Sequence, residues 1–280
     1  MEIGILASGS KGNAALVRAN GAAFLVDAGL SGREIGRRLA AYGVSPADLL
    51  GIVLTHEHVD HTRGVGVLSR RWDLPVWSNR ATRKAGAEAL GALPRWREIE
   101  VGVPFEMAGV RLTPFSTPHD AADPFGLILE SEGGYRVGLA TDMGYPTQLA
   151  RERLQGLQGL VLEFNHELDL LLSGPYPWHV KQRIRGKLGH LNNVDAAGLL
   201  GEVASADLEW VVCAHISEEN NKGDLILERA RAGLAGRNGL WDKSASPALR
   251  LASQHEPTPI LGPGGRGDAG GRGGAEEALP

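Results

Sequence analysis

The stretch that decides the fold is Thr55-His56-Glu57-His58-Val59-Asp60-His61. It follows Gly51-Ile52-Val53-Leu54, a short apolar run with β-branched residues that reads as a buried strand. Beyond it, Arg63 to Arg71 carries Val65 and Leu68, and then Trp72, at helical spacing. The cluster therefore belongs on a strand-to-helix turn. Imidazole suits zinc and other borderline metals, and oxygen ligands suit harder divalent ions. In His56-x-His58, alternate side chains can reach one ion. Asp60 and His61 lie further round the turn, where they can reach a second. The bland alternative is a solvent-exposed polar turn that merely happens to hold histidines.

Working outward, the chain alternates apolar runs with polar loops. Strands are expected at Ile3 to Ala7, Ala14 to Val17, Ala23 to Val26, Val110 to Phe115, Phe125 to Glu130, Tyr135 to Ala140, Gly159 to Phe164 and Leu208 to Ala214, with a short one at Pro75-Val76-Trp77. Helices are expected at Arg33 to Tyr42, Ala81 to Leu90, Ala196 to Val203 and Asp224 to Ala232. Arg33, Arg37 and Arg38 read as a solvated helix face. His56, His119, Asp142 and His215 each come at or just after the end of an apolar run. Strands lying in two packed sheets would bring those loops to one edge, where a rigid scaffold usually carries its chemistry.

The 280 residues are 42% hydrophobic, enough for one sizeable core. The formal net charge is -4, which does not suit a protein held on nucleic acid by charge alone. One cysteine, Cys213, excludes a disulfide framework and a cysteine-based zinc site, and points to a reducing cytosol. The N-terminus lacks a basic region followed by an apolar one, so no signal peptide is expected. No segment approaches the ~20 apolar residues of a membrane span. The sequence divides into a domain over 1–252 and a tail over 253–280, whose Gly262 to Gly274 is Gly-rich and reads as disordered. Arg266 and Arg272 in that tail read as solvated.

These residues resemble the metallo-β-lactamase fold superfamily over roughly residues 1 to 250. The signature is His56-x-His58-x-Asp60-His61, with later motifs in order. A finer similarity is to the YycJ/WalJ-type branch, which is similar to tRNase Z and associated with 5′-to-3′ exonuclease activity on DNA. It rests on Ala7-Ser8-Gly9-Ser10-Lys11-Gly12-Asn13, Gly174-Pro175-Tyr176-Pro177, Gly189-His190-Leu191-Asn192-Asn193 and Ala214-His215-Ile216-Ser217-Glu218-Glu219-Asn220-Asn221, together with the signature turn. Lys11 and Asn192 depart from it, since serine is common at both places. The resemblance implies an α/β fold, an αββα sandwich of two mixed β-sheets flanked by helices, with a dinuclear centre on the sheet edge. His56, His58 and His119 would hold one divalent ion, Zn or Mn. Asp60, His61 and His215 would hold the other, and Asp142 would bridge them.

Two such ions can share a bridging hydroxide as nucleophile and clamp both oxygens of an in-line displacement at phosphorus. Asp60 would orient that hydroxide. By similarity to tRNase Z, His190 is the candidate general acid for the departing alkoxide. His166 reads equally as a partner of the centre or a loop residue, and His179 and His255 as ordinary surface residues. The Ser8 to Asn13 loop, through Ser8, Ser10 and Asn13, could approach a phosphate, although an ordinary turn is the simpler reading of the loop alone. Lys181, Arg183, Arg185 and Lys187 alternate just before His190, as a basic strip for the phosphate backbone or as a solvated face. The expected partner is nucleic acid, DNA first, with no membrane. The oligomeric state is open, a homodimer included. A small-molecule cyclic phosphodiesterase and a thioester or lactone hydrolase are the rival activities.

Overall fold

The computed structural model describes residues 1–235 and 246–264. In chain order it contains β1 (Glu2–Ala7), β2 (Ala14–Ala19), β3 (Ala22–Val26), α1 (Gly32–Ala40), β4 (Leu49–Val53), α2 (Val59–Thr62), α3 (Val65–Trp72), β5 (Val76–Ser78), α4 (Arg80–Ala85) and α5 (Ala87–Leu90). There follow β6 (Trp96–Glu98), β7 (Phe105–Met107), β8 (Val110–Ser116), β9 (Phe125–Ser131), β10 (Arg136–Ala140), α6 (Gln148–Arg153), β11 (Gly159–Glu163), α7 (Leu168–Ser173) and α8 (Trp178–Ile184). The last are α9 (Asn193–Val203), β12 (Trp210–Ala214), α10 (Gly223–Ala235) and β13 (Ala248–Leu251).

Two mixed sheets form, ordered β1-β2-β3-β4-β5-β6 and β13-β12-β11-β10-β9-β8-β7. Apolar side chains fill three layers. Phe24, Val53, Leu127 and Trp210 meet between the sheets. Ile35, Leu39 and Leu68 press α1 and α3 onto the first sheet. Leu199, Leu200 and Ile226 press α9 and α10 onto the second. This is the expected αββα sandwich. Strands buried on both faces explain why the runs are continuously apolar and do not alternate.

Direction within the sheets positions the site. β3 and β4 run parallel, as do β10, β11 and β12, and β9 reverses between β8 and β10. The C-terminal ends of β8, β10, β11 and β12 therefore share one edge.

One expected helix holds and another is broken. The run expected from Arg63 forms α3, which starts after Gly64, whose N–H donates to the Ala28 carbonyl at 2.7 Å. Ala81 to Leu90 divides at Gly86. The short α6, α7 and α8, and strands β6, β7 and β13, were not legible as elements. Arg38 is corrected from solvated to buried. Its guanidinium donates to the Leu6 and Gln254 carbonyls at 2.7 and 3.0 Å.

Residues beyond 252 remain attached to the domain. Leu261 exchanges backbone bonds with Ile3, and Thr258 donates its N–H to the Ile5 carbonyl. Most of the expected Gly-rich tail, with Arg266 and Arg272, lies outside the described residues. No helix among the described residues is long and apolar enough to cross a membrane.

Candidate metal centre

The signature turn leaves the first sheet at the end of β4, and His58 flanks the N-terminus of α2. A Cβ on Gly29 would stand 1.6 Å from the Asp60 carbonyl oxygen, so only glycine lets the loop after β3 touch this turn. Asp27, Asp142 and His215 all hold left-handed backbone, at φ 59, 58 and 51 degrees. Non-glycine residues adopt such conformations at a cost of about 1–3 kcal/mol, and only where the surroundings enforce them. Each follows a parallel strand directly or by one residue.

His56, His58 and His119 bring one ligand atom apiece within 4.8 Å of one another. His119 Nδ1 donates to the Gly189 carbonyl at 2.9 Å, and His58 Nε2 donates to the Asp120 carbonyl at 3.2 Å. Their remaining nitrogens face each other at 3.2 Å, lone pair toward lone pair, which a shared cation would satisfy. His56 Nδ1 donates to Thr55 Oγ1, and Thr55 donates in turn to Asp27. His56 Nε2 is then buried without a partner.

Asp60, His61 and His215 make a second group within the same limit. His61 Nδ1 donates to Asp27 Oδ2 at 2.7 Å, and His215 Nδ1 donates to Glu163 Oε1 at 3.0 Å. Their Nε2 atoms stand 3.5 and 3.4 Å from Asp60 Oδ2. Asp142 lies between the groups: its carboxylate is 3.3 Å from His61, 3.5 Å from His215 and 3.7 Å from His119, and Oδ2 is buried without a hydrogen bond.

The electrostatics fit cations. Burial holds His56 and His119 well toward the neutral, lone-pair form. Burial alone would discharge His61 and His215 as well, but nearby carboxylates outweigh it and hold both imidazoles high. Asp60 and Asp142 are held far below the usual carboxylate range, although burial opposes this, by the imidazoles around them. Protons on His61 and His215 thus neutralise the carboxylates, and divalent ions would displace them. The unpartnered His56 Nε2 and Asp142 Oδ2, with this nitrogen and oxygen donor set, fit two divalent ions.

His190 Nδ1 donates to Glu163 Oε1 at 2.7 Å, and the ring lies 3.8 Å from Asp142. Glu163 Oε2 accepts from the Met143 and Leu191 amides at 2.9 and 3.3 Å. Burial pushes the Glu163 carboxyl up, but the imidazoles of His190 and His215 and these bonds hold it down at about 2. Asp142, Glu163, His190 and His215 could also group around an ion. Glu163 is already committed to donors, however, which makes it a support for both histidines.

The sequence did not single out Asp27, Glu163 or Asn165. Asn165 Nδ2 donates to the His215 carbonyl at 2.8 Å, and His166 stands 3.3 Å from Asn165 Oδ1. His166 therefore reaches the centre only through Asn165, and burial pushes it down to about 4. A polar residue ending each strand was the one available signal.

The residues expected to contact substrate fall into different places. Ser8 and Asn13 are buried within the scaffold of the centre. Ser8 Oγ accepts from the His215 amide at 2.7 Å, and Asn13 Nδ2 donates to Asp60 Oδ2 at 3.1 Å. Of these three, Ser10 alone is exposed, at the loop tip. The basic strip is not one face, because α8 is helical and alternate residues point about 200 degrees apart. Lys181 is buried, with its ammonium donating to the Leu172 and Gly174 carbonyls at 2.7 and 2.6 Å. Arg183 pairs with Asp120 at 2.5 Å beside His58, yet keeps 64% of its side chain exposed. Arg185 stacks over Trp178. The departures are mild. Asn192 caps α9 by accepting from Val194 and Asp195, as serine would, and the exposed Lys11 side chain pairs with Glu218.

Residues 7–178 match the metallo-beta-lactamase superfamily model. The chain belongs to this superfamily. The exodeoxyribonuclease YycJ of Bacillus anthracis is 34% identical over 227 residues, 80% of this chain and 86% of that protein. The exodeoxyribonuclease WalJ of Streptococcus pneumoniae is 35% identical over 259 residues, 88% of this chain and 96% of that protein. Within the superfamily, the chain therefore falls with the YycJ/WalJ branch. Among solved structures, the metallo-beta-lactamase fold protein YhfI from Bacillus subtilis superposes with TM-score 0.69 at 16% identity, over 92% of this chain and 99% of that one. The short form of human tRNase Z gives 0.62 at 15%, with the same coverage. These two likenesses speak for the fold.

Proposed function

We propose that the protein is a dinuclear-metal-dependent phosphodiester hydrolase, a 5′-to-3′ exonuclease acting on DNA in the cytoplasm. The observation that carries this reading is the Glu163–His190 pair, which sets a positioned imidazole beside Asp142. An alkoxide leaves poorly as an anion, so cleavage of a nucleic-acid diester gains from a general acid. The relatives named exodeoxyribonuclease supply the choice of DNA.

In this reading His56, His58 and His119 would hold one divalent ion, Zn or Mn, Asp60, His61 and His215 would hold the other, and Asp142 would serve both. Bound there, the pair of ions supplies Lewis acidity and the hydroxide nucleophile. The chain does the rest. Asp60, fixed by Asn13, orients the attacking oxygen. Glu163 fixes Nδ1–H of His190, so Nε2 is the nitrogen that delivers a proton to the leaving oxygen. Arg183 and Ser10, exposed near the edge, face the phosphate backbone.

The test is hydrolysis of 5′-labelled single-stranded DNA with added Mn²⁺ or Zn²⁺, beside bis-p-nitrophenyl phosphate and an Asp142→Ala variant. Stepwise release from the 5′ end, lost in the variant, is expected. Hydrolysis of the small diester alone would overturn the nuclease reading in favour of a small-molecule phosphodiesterase.

A further inference from the structure

The loop from Ser8 to Asn13 makes hydrogen-bond contacts with every member of one cation group and, among the described residues, with no member of the other. Ser8 receives the His215 amide, and Asn13 meets Asp60 and His61 through Nδ2, each at 3.1 Å. No hydrogen bond among the described residues joins this loop to His56, His58 or His119. The loop itself is held from far away in sequence. Gln254 Oε1 accepts from the Lys11 amide at 2.8 Å, and Gln254 Nε2 donates to the Gly12 carbonyl at 3.0 Å. The Gln254 carbonyl accepts from buried Arg38 at 3.0 Å, and the Ser253 carbonyl accepts from the Ser8 amide at 3.0 Å. Gln254 is only 8% exposed. Gly9 sits at φ +147, and a Cβ there would lie 2.8 Å from Gln254 Oε1, so loop and amide are fitted closely together.

We propose that Gln254 is a positioning residue for one of the two cation sites: through the Ser8–Asn13 loop it sets Asp60, His61 and His215, and leaves the His56, His58 and His119 site independent. The segment after β13 thereby does two things. It covers the edge of β1, which would otherwise present unpaired backbone groups. It also places an amide that reads the backbone of the loop on both its donor and its acceptor side. This rests on the dinuclear reading above.

The experiment is competition for Zn²⁺ against a chromophoric chelator, with metal content measured separately, on the full chain, Gln254→Ala, Gln254→Glu and Thr258→Val. Thr258 ties the same segment to Ile5 through Oγ1 at 3.0 Å without touching the loop. Gln254→Ala is expected to weaken one binding step about 10–100-fold and leave the other unchanged, as supports of ligating groups do. Gln254→Glu keeps the acceptor for Lys11 but loses the donor to Gly12, and should fall between. Thr258→Val should lower the melting temperature with both steps intact. Equal weakening of both steps in Gln254→Ala, or in Thr258→Val alike, overturns the proposal alone. A full chain that binds a single equivalent overturns the dinuclear reading, and this proposal with it.

Discussion

The two halves of the centre are built differently. The group of His56, His58 and His119 leans on backbone carbonyls and a hydroxyl: Gly189, Asp120 and Thr55 fix its rings, and His58 remains partly exposed. The group of Asp60, His61 and His215 is enclosed by charged and amide side chains, Asp27, Glu163 and Asn13. Neutral carbonyls fix the direction of an imidazole. Carboxylates also raise its basicity and draw positive charge to the site. We therefore expect the second group to depend on its supports more steeply, and the first to border the substrate.

The largest expected effect erases the difference. Asp142→Ala removes the carboxylate common to both halves, and should abolish hydrolysis and lower metal content in both steps of a chelator titration. Loss of only one step would mean that Asp142 serves one half.

Next is His190→Ala. Proton delivery by a positioned side chain is worth about 10²–10⁴-fold. A loss of that size is expected on DNA, with little change on bis-p-nitrophenyl phosphate, whose phenolate leaves without help. Equal losses on both substrates would make His190 a support of the metal centre.

Asp27→Asn then sharpens the contrast between supports. It keeps an acceptor for His61 Nδ1 but removes the charge, and should weaken the step that uses His61 about 10–100-fold, with a smaller loss in the other step, which Asp27 reaches through Thr55. Thr55→Val, on the other half, should cost less in the same titration.

The smallest effect belongs to the exposed border. Arg183→Gln should raise KM for an oligonucleotide about several-fold, and flatten its salt dependence, while kcat on the small diester holds. An unchanged salt slope would confine Arg183 to its pair with Asp120.

How much of this was legible in the sequence follows the same division. His56, His58, Asp60 and His61 share one short turn, so spacing alone exposed them. His119, Asp142 and His215 were visible because each follows a strand, and parallel strands send their ends to one edge. Asp27 and Glu163 also end strands, but a single acid two residues before glycine or directly before phenylalanine looks like turn chemistry until the fold supplies its histidine. Lys181 misled for a related reason. Alternation marks a face only on a strand, and residues 178–184 are helical, with Lys181 turned back onto the Leu172 and Gly174 carbonyls. The clamp made by Gln254 spans more than two hundred residues of sequence, and no local pattern announces such a contact.

The central claim is that two cations sit in two distinct groups with Asp142 between them. Anomalous diffraction from crystals equilibrated with Mn²⁺ tests it most directly. Two peaks are expected, one among His56, His58 and His119, the other among Asp60, His61 and His215, each in contact with Asp142. A single peak, or one seated between Glu163 and His190, would contradict it.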